Sequence, residues 1–175
     1  MAHPLANKVV PILRDSVTAY VALGANLGNA LESVRQAIRD MDTFDSTRVG
    51  KCSSLYCTGP VDSAGPDYIN AVVEVTTTLT APALMLKLAS LEQGAGRQRP
   101  YQNAPRTLDL DLLLFGSAQI YSPRLVVPHP RMETRAFVLV PLAEIAPGLV
   151  RSEALLAVAD QSCRRLTGLT GDCRV

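Results

Sequence analysis

The sequence predicts an α+β fold built on a mainly antiparallel sheet. Three observations point there. Segments of alternating apolar and polar residues interleave with segments of helical spacing, in the order strand, helix, strand, strand, helix, strand. The length of 175 residues suits one domain, large enough to bury about two-thirds of the surface its unfolded chain exposes. A composition of 47% hydrophobic and 19% charged residues is that of a folded chain, not a disordered one.

The first strand spans 18–24, where Ala19, Val21 and Leu23 alternate with Tyr20 and Ala22. A glycine-bounded turn follows, and Asn29 with Glu32 three residues on starts a helix in the manner of a capping box. Leu31, Val34, Ile38 and Met41 carry that helix at 3.6-residue spacing. Residues 48–58 read as a second strand. The clearest strand is 68–79, with Ile69, Ala71, Val73, Val75 and Leu79 on one face and Asn70, Glu74, Thr76 and Thr78 on the other.

Thr80 caps a second helix with Pro82 in its first turn, Leu84, Leu88 and Leu91 as its apolar stripe and Gly94 as its stop. Residues 94–106 form a loop rich in Gly, Arg and Pro, and 107–115 a further strand. Three prolines make 122–130 a loop. Residues 131–145 are mostly helical, at least before Pro141, and 152–166 predict a last helix. This order is the split βαβ of a ferredoxin-like sandwich with C-terminal additions. Residues 1–16 are expected to be a disordered tail and 17–175 a single domain.

Several function classes are excluded early. Seventeen basic against 16 acidic residues give a net charge of +1, which argues against a nucleic-acid partner. No segment reaches the roughly 18 apolar residues of a membrane span, and the first fifteen residues lack the features of a signal peptide. Four cysteines, at 52, 57, 163 and 173, include no CxxC, and the histidines are His3 and His129 alone, so no zinc site is expected. Four reduced thiols in a cytoplasmic protein is the expectation.

The strongest chemical signal is Thr107-Leu-Asp-Leu-Asp-Leu-Leu-Leu-Phe115. Alternation puts Asp109 and Asp111 on one face, roughly 6.6–7 Å apart at Cα, and Leu108, Leu110, Leu112 and Leu114 on the other. Like charges this close repel unless a cation lies between them. Paired carboxylates on a rigid strand suit Mg²⁺ that is also held by substrate phosphates. A solvated strand edge or salt bridges to nearby arginines explain the pair equally simply. Six arginines (Arg97, Arg99, Arg106, Arg124, Arg131 and Arg135) and no lysine lie between 97 and 135, a phosphate-binding composition.

No P-loop and no dinucleotide fingerprint is present. Any nucleotide must therefore be held by arginines and metal. His129, between Pro128 and Pro130, is a candidate phosphate donor or acid/base, or simply a packed loop residue. Tyr68 and Phe137 flank the arginine region and can either sandwich a flat ring or fill the core.

Five segments together resemble the 6-hydroxymethyl-7,8-dihydropterin pyrophosphokinase family. They are Ala22-Leu-Gly-Ala-Asn-Leu-Gly28, Ser53-Ser-Leu-Tyr-Cys-Thr58, Pro66-Asp-Tyr-Ile-Asn70, Pro105-Arg-Thr-Leu-Asp-Leu-Asp111 and Val127-Pro-His-Pro130. The resemblance runs over about 19–149 and implies a ferredoxin-like α/β/α fold. It implies transfer of the pyrophosphoryl group of ATP to the pterin hydroxymethyl oxygen, with release of AMP, in folate biosynthesis. Asp109 and Asp111 then bind two Mg²⁺ ions, and Arg97, Arg99 and Arg106 act with them as catalytic residues. ATP is contacted by Glu92, Arg97, Arg99, Arg106, Leu112, Arg124, His129 and Arg135. The pterin is held by Thr58, Val61, Tyr68, Asn70 and Phe137. Asp109 is also a candidate acceptor for the hydroxyl proton.

The same resemblance implies a monomeric cytoplasmic enzyme whose partners are its two small-molecule substrates, with no membrane and no nucleic acid. Two other classes remain open: a non-catalytic ferredoxin-like binding module, and a phosphotransferase releasing ADP. The chain departs from the family in its catalytic loop. Asn103 stands where well-known members carry Trp, the loop between Arg99 and Arg106 is one residue shorter, and a differently built lid is expected.

Overall fold

A computed structural model describes residues 14–60, 65–96 and 107–167. Val61, Arg97, Arg99, Arg106, Cys173, the loop over 97–105 and most of the expected N-terminal tail lie outside the described residues. The elements are β1 (Val17–Ala25), α1 (Ala30–Asp42), β2 (Thr47–Cys52), β3 (Tyr56–Thr58), β4 (Tyr68–Thr77), α2 (Ala81–Gly94) and β5 (Asp109–Phe115). They continue with β6 (Ile120–Tyr121), β7 (Val126–Val127), α3 (Ala136–Ile145), α4 (Ser152–Ala157) and β8 (Arg164–Arg165).

One sheet runs β5-β1-β4-β3-β8, with β2 sharing the β4 edge that β3 uses, and every pairing in it is antiparallel. Helices cover both faces. Val34, Ala37 and Met41 of α1 and Leu84 and Leu88 of α2 pack on Ala19, Val21, Leu23, Ala71, Val73 and Val75. On the opposite face Val138, Leu142 and Ile145 of α3 pack on Tyr20, Ala22, Val72 and Leu113. This is the expected ferredoxin-like α/β/α sandwich. The strand periodicity explains it: alternate residues of β1 and β4 are apolar toward both layers, so a central strand buries both faces.

Both predicted helix starts are real. Asn29 Oδ1 accepts from the Glu32 N–H at 3.2 Å, and Thr80 Oγ1 accepts from the Ala83 N–H at 3.3 Å.

Four expectations are corrected. Residues 48–58 are not one strand. The ladder to β4 shifts register between Val49 and Cys52 and re-forms at Tyr56. In the gap Ser53 takes over, its N–H donating to the Val72 carbonyl and its Oγ accepting from the Val72 N–H. Leu114 does not share the face of Leu108, Leu110 and Leu112. Tyr20 and Val21 are consecutive in β1 yet pair with Leu114 and Leu112. Leu113 is therefore a bulge residue, and the bulge turns both Leu113 and Leu114 to the α3 layer.

The last helix is short. Val158 turns inward among Ala136 and Leu139, which ends α4 at Ala157, and Arg164–Arg165 instead add an edge strand to β3. Finally, Cys52 is disulfide-bonded while Cys57 and Cys163 carry free thiols, against the expected four reduced cysteines. Sequence spacing does not reveal which sulfur atoms a fold brings together.

Two smaller differences concern proline segments. The loop over 122–130 contains β7, which pairs with β6. The segment over 131–145 is a 3-10 turn at Met132–Thr134 followed by α3, which continues through Pro141. Among the described residues no helix is long and apolar enough to cross a membrane.

Candidate active site

The site begins at the outer edge of the sheet. Asp109 and Asp111 open β5, and both side chains are half-buried on the face that α3 covers farther along the sheet. Leu108, Leu110 and Leu112 turn into the α1/α2 core. The outer edge of β5 would expose backbone groups, and two of its neighbours meet them. Glu92, 1% exposed on α2, accepts from the Leu110 N–H through Oε1 at 2.9 Å. The His129 N–H donates to the Leu113 carbonyl at 2.9 Å. The second bond brings the loop after β7 alongside the aspartates.

A cluster of charge results. Asp111 Oδ2 lies 3.8 Å from His129 Nε2 and 3.8 Å from an Arg135 guanidinium nitrogen. His129 Nδ1 accepts from the Arg131 N–H at 3.3 Å, which leaves Nε2 as the atom facing Asp111. Burial lowers the His129 pKa, and Arg135 and Arg131 lower it further, against the opposing pull of Asp111. The Arg135 guanidinium also sits 5.3 Å above the centroid of the Phe137 ring, within cation–π range.

The expected pterin residues form a second group on the same face. Asn70 Nδ2 donates to Thr58 Oγ1 at 2.9 Å, and both side chains are buried. Tyr68, two residues before Asn70 on β4, shares that face by alternation. The register joins the two groups, because Asn70 of β4 and Asp109 of β5 both pair with Gly24 of β1. Gly24 therefore lies in one row between them, and two strand spacings put Asn70 and Asp109 about 9.6 Å apart. A Cβ on Gly24 would meet Asn70 Oδ1 at 3.2 Å. Gly24 is absent from the expected site residues, and the signal that marks it is a glycine inside a strand, which permits close approach.

Other expected residues stand apart. Leu112 is 2% exposed in the core of the α1/α2 layer. Arg124 is exposed in the turn between β6 and β7. Among the described residues no three His, Cys, Asp or Glu side chains gather as a metal site. Two adjacent carboxylates fit Mg²⁺ all the same, because this hard cation takes one or two carboxylates and completes its shell with water and phosphate oxygens.

Residues 20–147 match the model of the 7,8-dihydro-6-hydroxymethylpterin-pyrophosphokinase family. The chain belongs to this family. It is 44% identical over 132 residues to the 2-amino-4-hydroxy-6-hydroxymethyldihydropteridine pyrophosphokinase of Synechocystis, covering 75% of this chain and 68% of that one. To the enzyme of the same name from Haemophilus influenzae it is 42% identical over 137 residues, covering 77% and 84%. Among solved structures it is similar to an HPPK-DHPS protein of Plasmodium falciparum, with a TM-score of 0.63 at 14% identity over 82% of this chain and 42% of that one. At that identity the likeness speaks for the fold, and the chain spans about two-fifths of that longer protein. As a pyrophosphokinase family member the chain is an enzyme, which removes the non-catalytic binding module from consideration. The cluster of Asp109, Asp111, His129 and Arg135 and the pair Thr58 and Asn70 both lie inside the matched span.

Proposed function

We propose that this chain carries out its family's reaction at the β5 edge, with Asp109 and Asp111 holding two Mg²⁺ ions. That reaction moves the pyrophosphoryl group of ATP to the hydroxymethyl oxygen of a hydroxymethyldihydropterin in folate biosynthesis, and AMP leaves. The observation that supports the site assignment is the shared row of Asn70, Gly24 and Asp109, which sets the amide-bearing and carboxylate-bearing strands two strand spacings apart on one face of the sheet.

Each group then has a physical task. Bound Mg²⁺ supplies charge neutralisation and orientation of the phosphates. Asp109 and Asp111 stand on a strand whose fixed backbone would present both carboxylates to the ion on one face. Arg135 and His129 converge on Asp111 and offer N–H donors to phosphate oxygens beside it. Arg124 reaches the nucleotide from the β6–β7 turn, and Arg97, Arg99 and Arg106 add further phosphate contacts. Glu92 and Leu112 place the β5 backbone near the nucleoside. Thr58 and Asn70 pair with the polar edge of the pterin, Tyr68 and Phe137 stack on its faces, and Val61 adds an apolar contact. Transfer of this kind depends on positioning and charge stabilisation, without a covalent nucleophile.

The described residues fold as part of one domain over 17–175. This is supported by side chains from β1 through α4 sharing contiguous cores. The protein works as a monomer in the cytoplasm. Among the described residues the exposed large apolar side chains, Leu27, Leu86, Tyr121, Leu149 and Leu156, are scattered along the chain, and its co-substrate ATP is a cytoplasmic metabolite.

The test is product analysis with MgATP and 6-hydroxymethyl-7,8-dihydropterin. AMP in equal amount to pterin pyrophosphate supports the reading, and ADP points to the other phosphotransferase class. Asp109→Asn and Asp111→Asn should each lower kcat by at least about a hundredfold with unchanged thermal unfolding. Near-full activity in either one removes that carboxylate from the metal site.

A further inference from the structure

The chain after residue 147 lies beyond the family match, yet it returns to α3, the helix that presents Arg135 and Phe137. At the start of α3 the Gln161 side chain bonds the backbone on both sides of Arg135. Its Oε1 accepts from the Ala136 N–H at 2.9 Å, and its Nε2 donates to the Thr134 carbonyl at 3.0 Å. Arg135 is the N-cap residue of α3, in extended conformation with φ −126° and ψ 112°, and its own side chain makes no capping bond. A helix start needs acceptors for its first N–H groups. Gln161 supplies one from 25 residues away, beside an Arg135 guanidinium that has donors only and faces Asp111 and the Phe137 ring.

The segment that carries Gln161 is itself anchored. Val158 is 3% exposed in a cluster with Ala136 and Leu139, and Cys163 packs against it. At the far end of α3, Arg165 donates to Ser54 Oγ at 2.8 Å and lies 3.2 Å from Glu144.

We infer that Gln161 is a positioning residue for pyrophosphoryl transfer, holding the backbone about Arg135 so that its guanidinium stays aimed at the phosphate site beside Asp111. The inference rests on the phosphate role of Arg135 proposed above. It explains how a segment outside the family match serves the reaction.

A double-mutant cycle tests it, with kcat measured for the wild type, Gln161→Ala, Arg135→Ala and the double variant, alongside thermal unfolding of each. Gln161→Ala should lower kcat about three- to tenfold, a modest loss of positioning at the phosphate site. In the Arg135→Ala background the same change should leave kcat within twofold, because the group it positions is gone. Gln161→Glu keeps the acceptor for the Ala136 N–H and should fall between wild type and Gln161→Ala. It carries the cycle if the alanine variant does not fold. A merely structural cap would lower kcat by the same factor in both backgrounds, and that result, or wild-type kcat in Gln161→Ala beside an impaired Arg135→Ala, overturns the inference alone. Wild-type turnover by Arg135→Ala would overturn the phosphate role of Arg135, and the positioning role of Gln161 with it.

Discussion

Glu92 Oε1 accepts a hydrogen bond from the Leu110 N–H at 2.9 Å, at the one β5 residue between Asp109 and Asp111. A carboxylate 1% exposed is costly to bury, so its bond to the strand that carries the metal ligands has consequences for both stability and turnover. Glu92→Leu removes the acceptor and leaves a buried N–H unmet, at a cost of about 1–3 kcal/mol. Glu92→Gln keeps an acceptor oxygen of the same reach. Urea unfolding should show the larger loss for leucine, and kcat should fall in the same order. Equal stability of the two variants would mean that the bond to Leu110 does not brace β5.

The paired carboxylates make a prediction about metal. Turnover should vanish on chelation and return with Mg²⁺. If two ions act, kcat should keep rising with free Mg²⁺ after all ATP has become MgATP, because the second ion binds after the nucleotide is complexed. A curve that levels off at the concentration saturating ATP would reduce the count to one.

Much of this arrangement was legible in the residue pattern, and the reasons are physical. Strand alternation determined the faces of β4 and the outward aim of Asp109 and Asp111, because a period of two leaves no choice once one face is apolar. The helix starts at Asn29 and Thr80 were equally legible, since capping is a contact over three residues. Long-range facts were not. The bulge at Leu113 depends on how β1 and β5 close together, and a run of leucines carries no sign of it. The return of 158–165 to α3 depends on Val158 and Gln161 finding partners far back along the chain, at Ala136 and Leu139. The charge cluster was visible as composition, but only the fold selects His129 and Arg135 as the groups beside Asp111.

Gly24 supplies the third test. A methyl group there would stand 3.2 Å from Asn70 Oδ1, tight enough to displace the amide that bonds Thr58. Gly24→Ala should raise KM for the pterin several-fold while KM for ATP changes by less than about twofold, as expected for a change confined to one subsite. A uniform rise in both constants, or none, would show that the row through Gly24 does not floor the pterin site.

The fourth concerns pH and the C-terminal strand. Glu144, in the last turns of α3, accepts from the Ser54 N–H at 2.9 Å, the Ser54 hydroxyl at 2.8 Å and the Tyr56 hydroxyl at 2.9 Å, and it pairs with Arg165. Burial alone would raise its pKa, but the Ser54, Tyr56 and Arg165 interactions outweigh it and hold the carboxyl below its ordinary 4.5. A lowered folded-state pKa means that the unfolded chain binds the proton first. The stabilisation is therefore complete above pH 4.5 and is lost as pH falls through the folded value.

Tyr56 has the opposite sign. Burial and the bond to Glu144 push its hydroxyl from 10.0 to about 12, so its contribution is present below pH 10.0 and lost as pH rises toward 12. Tyr20, raised to about 12 by burial and by its bond to Glu74, adds an alkaline loss that Glu144 does not control. Glu144→Gln should therefore flatten the acid limb of the stability curve and shrink the alkaline limb without abolishing it. Thermal midpoints measured across both limits decide the matter: an acid limb unchanged in Glu144→Gln would assign acid unfolding to other carboxylates, and the Ser54–Tyr56–Arg165 network would then hold β3 and β8 to α3 without a charge-dependent share.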